Sequence, residues 1–231
     1  MKYQMPSEEI QINFTGRSGE STMLQARAFY DIVREYSPNP ENILDFGCGW
    51  GRITRCALGY HPPERIIGCD CMPEMVGLCE KMLPCEFVLN DPMPPSSFMD
   101  GSFNLIYAYS VFSHLSEVAT NAWIAEFHRI LAPGGMVVIT TRGGDFIPIL
   151  GKLKDFNRPS HDEIEVLKNR YAEGKFVHVP SDGGSNLSDN FYGETAIPKA
   201  YMKNWKGFRL IKFIDSPPPH IDQYIAVLER L

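Results

Sequence analysis

An aspartate followed by three alternating glycines stands in the segment Asp45-Phe46-Gly47-Cys48-Gly49-Trp50-Gly51-Arg52. The apolar residues Ile43 and Leu44 precede this segment, and a stretch with helical spacing begins at Ile53. This order predicts a parallel strand that enters a tight turn and then a helix, and glycine leaves room at the turn for a ligand to approach the backbone. The sequence therefore predicts a ligand site built on Asp45, Gly47, Cys48, Gly49 and Gly51.

The spacing of these glycines separates two classes of nucleotide cofactor. A dinucleotide-binding turn has the pattern Gly-x-Gly-x-x-Gly, which places a pyrophosphate on the N-terminus of the helix. Here the glycines fall at every second position, and Arg52 follows the last of them. The spacing argues against a nicotinamide-dependent oxidoreductase, which stays the first alternative.

Polar residues follow three later strands of the predicted sheet. In chain order, these strand ends carry Asp70-Cys71-Met72, Asn90-Asp91-Pro92 and Tyr109-Ser110. The Asp70 carboxylate can accept hydrogen bonds from both hydroxyls of a ribose, or it caps the helix that begins at Pro73. Asn90 and Asp91 can bind an adenine, or they form a turn ahead of Pro92. Because ligands bind at the carboxyl ends of parallel strands, we expect all of these residues to line one site.

Strand and helix patterns alternate from about Ser21 to Arg142, which predicts an α/β fold with a parallel sheet. We expect one domain over residues 1–231, with an N-terminal loop over residues 1–20 and an insertion over residues 143–193. The stretch Ala132-Pro133-Gly134-Gly135 is interpreted as a turn that leads into strand five.

The motif series resembles that of the class I S-adenosylmethionine-dependent methyltransferases. Three segments look like the type 11/12 small-molecule branch: Leu44 to Arg52, Ser110-Val111-Phe112-Ser113-His114-Leu115, and Phe127-His128-Arg129-Ile130-Leu131-Ala132-Pro133-Gly134-Gly135. The resemblance implies S-adenosyl-L-methionine as cofactor and a Rossmann-like sheet of seven mostly parallel strands, with a terminal antiparallel strand and helices on both faces. It also implies in-line O- or N-methylation of a small polar acceptor of saccharide or natural-product type. A cofactor-binding partner subunit without activity is the second alternative.

Methyl transfer needs alignment above all, and a base only where the acceptor must lose a proton. His114, just past strand four, is the candidate base. Its alternative role is to pack in the core or to cap the helix after Ser116. We predict that Arg142, His178 and Tyr192 bind the acceptor.

Residues 143–193 form a connection far longer than is usual between two elements. We predict a lid over the acceptor, with a helix over Asp162–Glu173 as its rigid part and the pairs Gly143-Gly144 and Gly183-Gly184 as hinges. The residues predicted to contact the acceptor from this region are Phe176, His178, Asn190, Tyr192 and Glu194.

Two arginines are candidates for other charged contacts. Arg17 lies in a predicted loop and is a candidate to bind the cofactor carboxylate. Arg52 either reaches that carboxylate or pairs with a carboxylate on a helix, and the second role is the expected one.

The composition of the chain indicates which kinds of molecule we expect it to bind. The net charge is −6, and no run rich in Lys or Arg occurs, so we expect a small-molecule acceptor and no nucleic acid. No apolar stretch has the length of a membrane span or of a signal peptide, so we expect no membrane contact and a cytoplasmic protein. The six cysteines lack the spacing of a metal site, and we expect no metal and reduced, buried thiols. The sequence does not indicate an oligomeric state.

Overall fold

The computed structural model describes residues 3–153, 158–183 and 187–231. Its strands are β1 (Ile43–Phe46), β2 (Ile66–Asp70), β3 (Glu86–Leu89), β4 (Phe103–Ala108), β5 (Leu131–Thr141), β6 (Val177–Pro180), β7 (Gly193–Ala196), β8 (Phe208–Ile214) and β9 (Tyr224–Arg230). Its helices are α1 (Glu8–Thr15), α2 (Gly19–Tyr36), α3 (Arg52–Ala57), α4 (Pro73–Met82), α5 (Glu117–Ile130), α6 (Ile147–Leu150), α7 (His161–Ala172) and α8 (Lys199–Met202).

Seven strands form one sheet in the order β3-β2-β1-β4-β5-β9-β8. The pairs from β3 to β5 are parallel, whereas β9 is antiparallel to both β5 and β8. This arrangement confirms the predicted fold. The chain leaves β1 toward β2 and β3, then returns to the other side of β1 with β4. Such a reversal of strand order opens a crevice at the carboxyl ends of the two strands.

The central strands are buried on both faces because helices cover the sheet on both sides. Leu44 and Phe46 point to the face covered by α5, where the ring of Phe46 lies 4.5 Å from that of Trp123. Ile43 points to the opposite face and packs in the cluster that contains Phe29 of α2. The alternation follows from the two-residue period of a strand, and it fixes the direction in which Asp45 and the turn after it project.

The N-terminal segment differs from the predicted loop over residues 1–20. Residues Glu8–Thr15 form helix α1, in which the Ser7 hydroxyl accepts a hydrogen bond from the Ile10 N–H. Gly16, with a φ of 66°, ends the helix. An N-cap serine and acidic residues in the first turn stabilise a helix start, so a local signal for α1 was present in the sequence.

Strand β5 also differs from its prediction, because it begins at Leu131. The segment predicted as a turn is an irregularity inside the strand, where the pairing with β4 passes from Leu131 directly to Met136. Gly134 adopts a φ of 74° there, which glycine allows without strain.

The insertion over residues 143–193 contains α6, α7 and a hairpin of β6 and β7 that ends at Ala196. Helix α7 matches the predicted helix, whereas the hairpin was not predicted. Of the predicted hinge glycines, Gly184 lies outside the described residues. The insertion has its own apolar cluster of Ile147, Leu150, Ile164, Val177 and Ala196. Within the described ranges, no helix has the length and apolar character that a membrane span requires.

Candidate active site

A cleft with about 1110 Å³ of empty space lies at the carboxyl ends of the central strands. The predicted site residues that line it are Asp45, Gly47, Cys48, Gly49, Asp70, Cys71, Met72, Asn90, Pro92, Tyr109, Ser110, His114 and Tyr192. Gly51, Asp91, Arg142 and His178 are not among the described residues that line the cleft. The structure therefore brings most of the predicted strand-end residues together, as the parallel sheet requires.

The three glycines of the turn all adopt left-handed backbone angles, with φ values of 70° at Gly47, 51° at Gly49 and 74° at Gly51. A side chain at Gly47 would lie 2.3 Å from Val111 Cγ2, and one at Gly51 would lie 2.6 Å from Leu83 Cδ1. At Gly49 the nearest atom is Phe14 Cδ1, at 3.9 Å. Gly49 thus leaves space for a ligand, whereas Gly51 allows close packing inside the protein.

The Asp70 carboxylate is oriented by two backbone hydrogen bonds. The Gly49 N–H donates to Oδ2 at 2.8 Å, and the Met72 N–H donates to Oδ1 at 3.0 Å. The side chain is 8% exposed, and burial raises its pKa. A carboxylate has about four acceptor positions, more than these backbone donors fill, so Asp70 can accept from a ligand hydroxyl while it also holds the start of α4.

Asn90 carries an unpaired acceptor at the end of β3. Its Nδ2 donates to the Asp91 carbonyl at 2.7 Å, and its Oδ1 is buried without a partner in the described part of the chain. A buried acceptor of this kind calls for a donor from a ligand or a water molecule. The Asp91 side chain is exposed, so only its carbonyl supports the site.

Asp45 and Cys79 make hydrogen bonds that stabilise the glycine turn. The Thr54 hydroxyl donates to Asp45 Oδ2 at 2.5 Å, which ties β1 to α3, and burial raises the pKa of Asp45 to about 7. Cys79 Sγ donates to the Gly49 carbonyl at 3.2 Å. That contact of Cys79 was not predicted, because nothing in the local sequence shows which residue of α4 faces the turn.

Ser110 occupies a strained position directly after β4. Its φ is 61°, which is unusual for a residue with a side chain. Its N–H donates to Thr140 Oγ1 at 2.7 Å, and its Oγ accepts from Gln223 Nε2 at 2.8 Å. Contacts from β5 and from the loop before β9 therefore hold Ser110 at the wall of the cleft.

His114 also lies at this wall, and its surroundings define its protonation. Nδ1 lies 2.9 Å from the Gly193 carbonyl, so it carries the proton and Nε2 keeps the lone pair. The ring stacks on Tyr192 with 4.9 Å between centroids and 8° between planes. Burial, with a smaller contribution from the charge of Arg142, lowers the pKa of His114 to about 4. At neutral pH the imidazole is uncharged and can accept a proton.

Arg142 and His178 are not among the described residues that line the cleft, and their contact with the acceptor stays a prediction. Arg142 Nε lies 2.8 Å from Glu194 Oε2, and its guanidinium stacks 3.7 Å above the ring of Phe146. His178 Nδ1 lies 2.8 Å from Thr195 Oγ1. Both contacts are made with β7, which carries Glu194 and Thr195.

The other residues of the insertion that were predicted to contact the acceptor lie in different surroundings: one lines the cleft, two are buried and one is exposed. Tyr192 lines the cleft together with Phe191 and Leu187. Phe176 is 1% exposed and belongs to the core, so its predicted contact is wrong, and Asn190 is exposed to solvent. Glu194 is buried, and burial raises its pKa to about 7.

Several residues that line the cleft were missed. Phe14 and Thr15 come from α1, which was taken as a loop, and Val111, Leu115 and Trp123 come from the start of α5 and the segment before it. Their apolar character gives no functional signal in the sequence. The described residues contain no group of three or more histidine, cysteine or carboxylate side chains suited to a metal ion.

The parallel sheet, the glycine turn and the acidic end of β2 are the features expected of a class I S-adenosylmethionine-dependent methyltransferase. In agreement, residues 43–135 match the family described as a methyltransferase domain, which supports the expected assignment over that part of the chain. Malonyl-[acyl-carrier protein] O-methyltransferase of Hahella chejuensis is 28% identical over 104 residues, which are 44% of this chain and 37% of that protein. The chain spans between 37% and 52% of the length of the curated relatives it matches.

Solved structures show the same fold along the whole chain. PH0226 protein from Pyrococcus horikoshii has a TM-score of 0.67 at 15% identity and covers 98% of this chain and 100% of its own. An amino pentose methyltransferase from Micromonospora echinaspora, solved with S-adenosylmethionine bound, has a TM-score of 0.61 at 15% identity and covers 99% of both chains.

The described residues fit S-adenosylmethionine as cofactor. Gly49 leaves room beside the turn, Asp70 presents oriented carboxylate oxygens for ribose hydroxyls, and the unpaired Oδ1 of Asn90 suits the amino group of an adenine. Gly49, Asp70 and Asn90 lie at the ends of the neighbouring strands β1, β2 and β3, so a nucleoside bound in an extended conformation can contact all three.

Proposed function

We propose that this protein transfers a methyl group from S-adenosylmethionine to an oxygen or nitrogen of a small polar acceptor of saccharide or natural-product type. The observation that carries the proposal is the neutral His114, whose ring lies at the wall of the cleft with Nε2 free to accept a proton. The net charge of −6 supports a small molecule over a nucleic acid, and we propose no membrane partner.

The walls near His114 support an acceptor with both polar groups and flat apolar faces. Phe191 and Tyr192 line this side of the cleft, and aromatic rings pack well against sugar rings and other cyclic natural products. A structural relative is an amino pentose methyltransferase, which agrees with an acceptor of this class.

When bound, S-adenosylmethionine supplies an electrophilic methyl group on a sulfonium centre. The glycine turn and Asp70 hold the nucleoside part, and the aromatic residues orient the acceptor so that its nucleophile faces the methyl group. His114 Nε2 takes the proton from an acceptor hydroxyl, while its Nδ1–H continues to donate a hydrogen bond to the Gly193 carbonyl. Glu194 Oε1 lies 3.6 Å from Nδ1, so the ionised form of Glu194, whose pKa burial raises to about 7, favours the imidazolium that forms.

A library of hydroxyl and amine acceptors, assayed for release of S-adenosylhomocysteine, tests this function. We expect turnover with a cyclic polar acceptor, and about 100-fold slower turnover of a hydroxyl acceptor in His114→Asn because the base is lost. His161→Asn, at an exposed position of α7, is the matched control. Undiminished turnover in His114→Asn contradicts the role of His114. Cofactor binding without transfer to any acceptor supports instead a partner subunit without activity. The family match gives no support to the oxidoreductase alternative.

A further inference from the structure

Arg52 is a buried cation that lines the cleft, directly after the glycine turn. Its side chain is 7% exposed. Nη1 donates to Gln25 Oε1 at 2.5 Å and lies 3.4 Å from Thr22 Oγ1. Among the described residues these hydrogen-bond partners are neutral, and Arg52 takes no part in an ion pair. The carboxylate pair expected for it on a helix is therefore not formed.

A guanidinium in this position needs an anion, because removal of a charge from water is costly unless the charge is paired. Burial is the main cause of the lowered pKa of Arg52. The nearby acid Asp222 is engaged elsewhere, since its Oδ1 accepts from Gln25 Nε2 at 3.2 Å and its Oδ2 pairs with Arg17 at 3.3 Å. Arg17, the other candidate for the cofactor carboxylate, forms an exposed ion pair with Asp222.

The position of Arg52 along the sheet indicates which anion it meets. Asn90 ends β3, Asp70 ends β2, and the turn at Gly49 follows β1. The guanidinium of Arg52 lies 4.7 Å from the ring centre of Tyr109, at the end of β4. Adenine, ribose and amino-acid parts laid along this series of strand ends bring the amino-acid part to Arg52.

We propose that Arg52 binds the α-carboxylate of the methionine part of the cofactor. Gln25 orients the guanidinium through its amide oxygen, and its amide nitrogen connects it to Asp222. The interaction forms whether the acceptor is a saccharide or another molecule, so the inference goes beyond the proposed acceptor and does not depend on it.

Calorimetry with two ligands tests the proposal without an acceptor. The ligands are S-adenosylhomocysteine and its decarboxylated analogue, which differ only in the carboxylate. We expect the wild-type protein to bind S-adenosylhomocysteine about 10- to 100-fold more tightly than the analogue, the range for a hydrogen-bonded charge. In Arg52→Met this preference disappears, because the analogue is bound about as well as before.

Arg55→Met is the matched control. Arg55 belongs to the same helix and is also 7% exposed, but it donates to the carbonyls of Gln4, Trp50 and Gly51 and does not line the cleft. We expect the folded Arg55→Met protein to keep the preference for S-adenosylhomocysteine over the decarboxylated analogue, even where it is less stable than the wild type.

Two results overturn the proposal. One is a wild-type protein that binds both ligands equally, which requires no variant at all. The other is a folded Arg52→Met protein that keeps the full preference. Where Arg52→Met does not fold, Arg52→Lys replaces it, and a preference unchanged from wild type there also overturns the proposal, because lysine cannot reproduce the fork of donors.

Discussion

Gly47 and Gly49 both have left-handed backbone angles but different surroundings. Alanine at Gly47 should therefore cost more folding stability, whereas alanine at Gly49 should cost more cofactor affinity. At Gly49 an added Cβ has only Phe14 as a neighbour, at 3.9 Å, which is an ordinary contact. The stability cost of Gly49→Ala is then the left-handed backbone alone, about 1–2 kcal/mol. At Gly47 the same cost applies, and Val111 at 2.3 Å adds overpacking of about 1–3 kcal/mol.

Cofactor binding should show the reverse order of effects. The methyl group of Gly49→Ala enters the space beside the turn, where we expect a bound ligand, and an overlap worth about 1–3 kcal/mol weakens binding roughly 10- to 100-fold. The protein with Gly47→Ala, where folded, should bind S-adenosylhomocysteine less poorly, because the added group points toward Val111.

Urea unfolding and calorimetry with S-adenosylhomocysteine give the two quantities for each variant. Equal losses of unfolding free energy at the two positions would refute the packing argument. Wild-type affinity in a folded Gly49→Ala protein would show that no part of the cofactor approaches the turn there.

Further predictions concern individual groups of the cleft. Asp70→Ala should lose about 1.5–3 kcal/mol of cofactor binding, as hydrogen bonds to a charged group are removed, and wild-type affinity by calorimetry would reduce Asp70 to a helix cap. Burial lowers the pKa of His114 to about 4, so the base is protonated and inactive below that pH and neutral above it; the limb of the kcat/KM profile that His114→Asn removes should therefore lie near pH 4, and such a limb centred near 6.5 would contradict this. Tyr192→Leu removes the ring stacked on His114, so acceptor turnover should fall while calorimetry shows an unchanged cofactor affinity; equal loss of both would place Tyr192 in the cofactor site.

The features predicted correctly from the sequence are those with local causes. The glycine turn after β1 depends on neighbours within a few residues, and the strand ends at Asp70 and Asn90 are recognisable from short apolar runs. Because parallel strands end at one edge, those local signals were enough to predict that these residues line one cleft.

The acceptor side depends on contacts between distant segments, and there the prediction partly failed. Leu115 pairs with Tyr192, and Arg142 pairs with Ala196, in bridges that no local pattern shows. The first bridge accompanies the placement of Tyr192 at the cleft, whereas Arg142 and His178 are not among the described residues that line it. Helix α1 is a different case, since Ser7 and the acidic residues after it are a local signal for a helix start.

The segment that carries His114 is hydrogen-bonded to the insertion rather than merely covered by it. The Gly193 N–H donates to the His114 carbonyl, and the Thr195 N–H donates to the Ser113 carbonyl, each at 2.8 Å. Strand β7 thus hydrogen-bonds to the segment before α5 as well as to β6, so the segment that carries the candidate base is tied directly to this hairpin. A graft of this insertion onto a related scaffold would carry the environment of the base with it, so acceptor choice and proton transfer would have to change together in evolution or design.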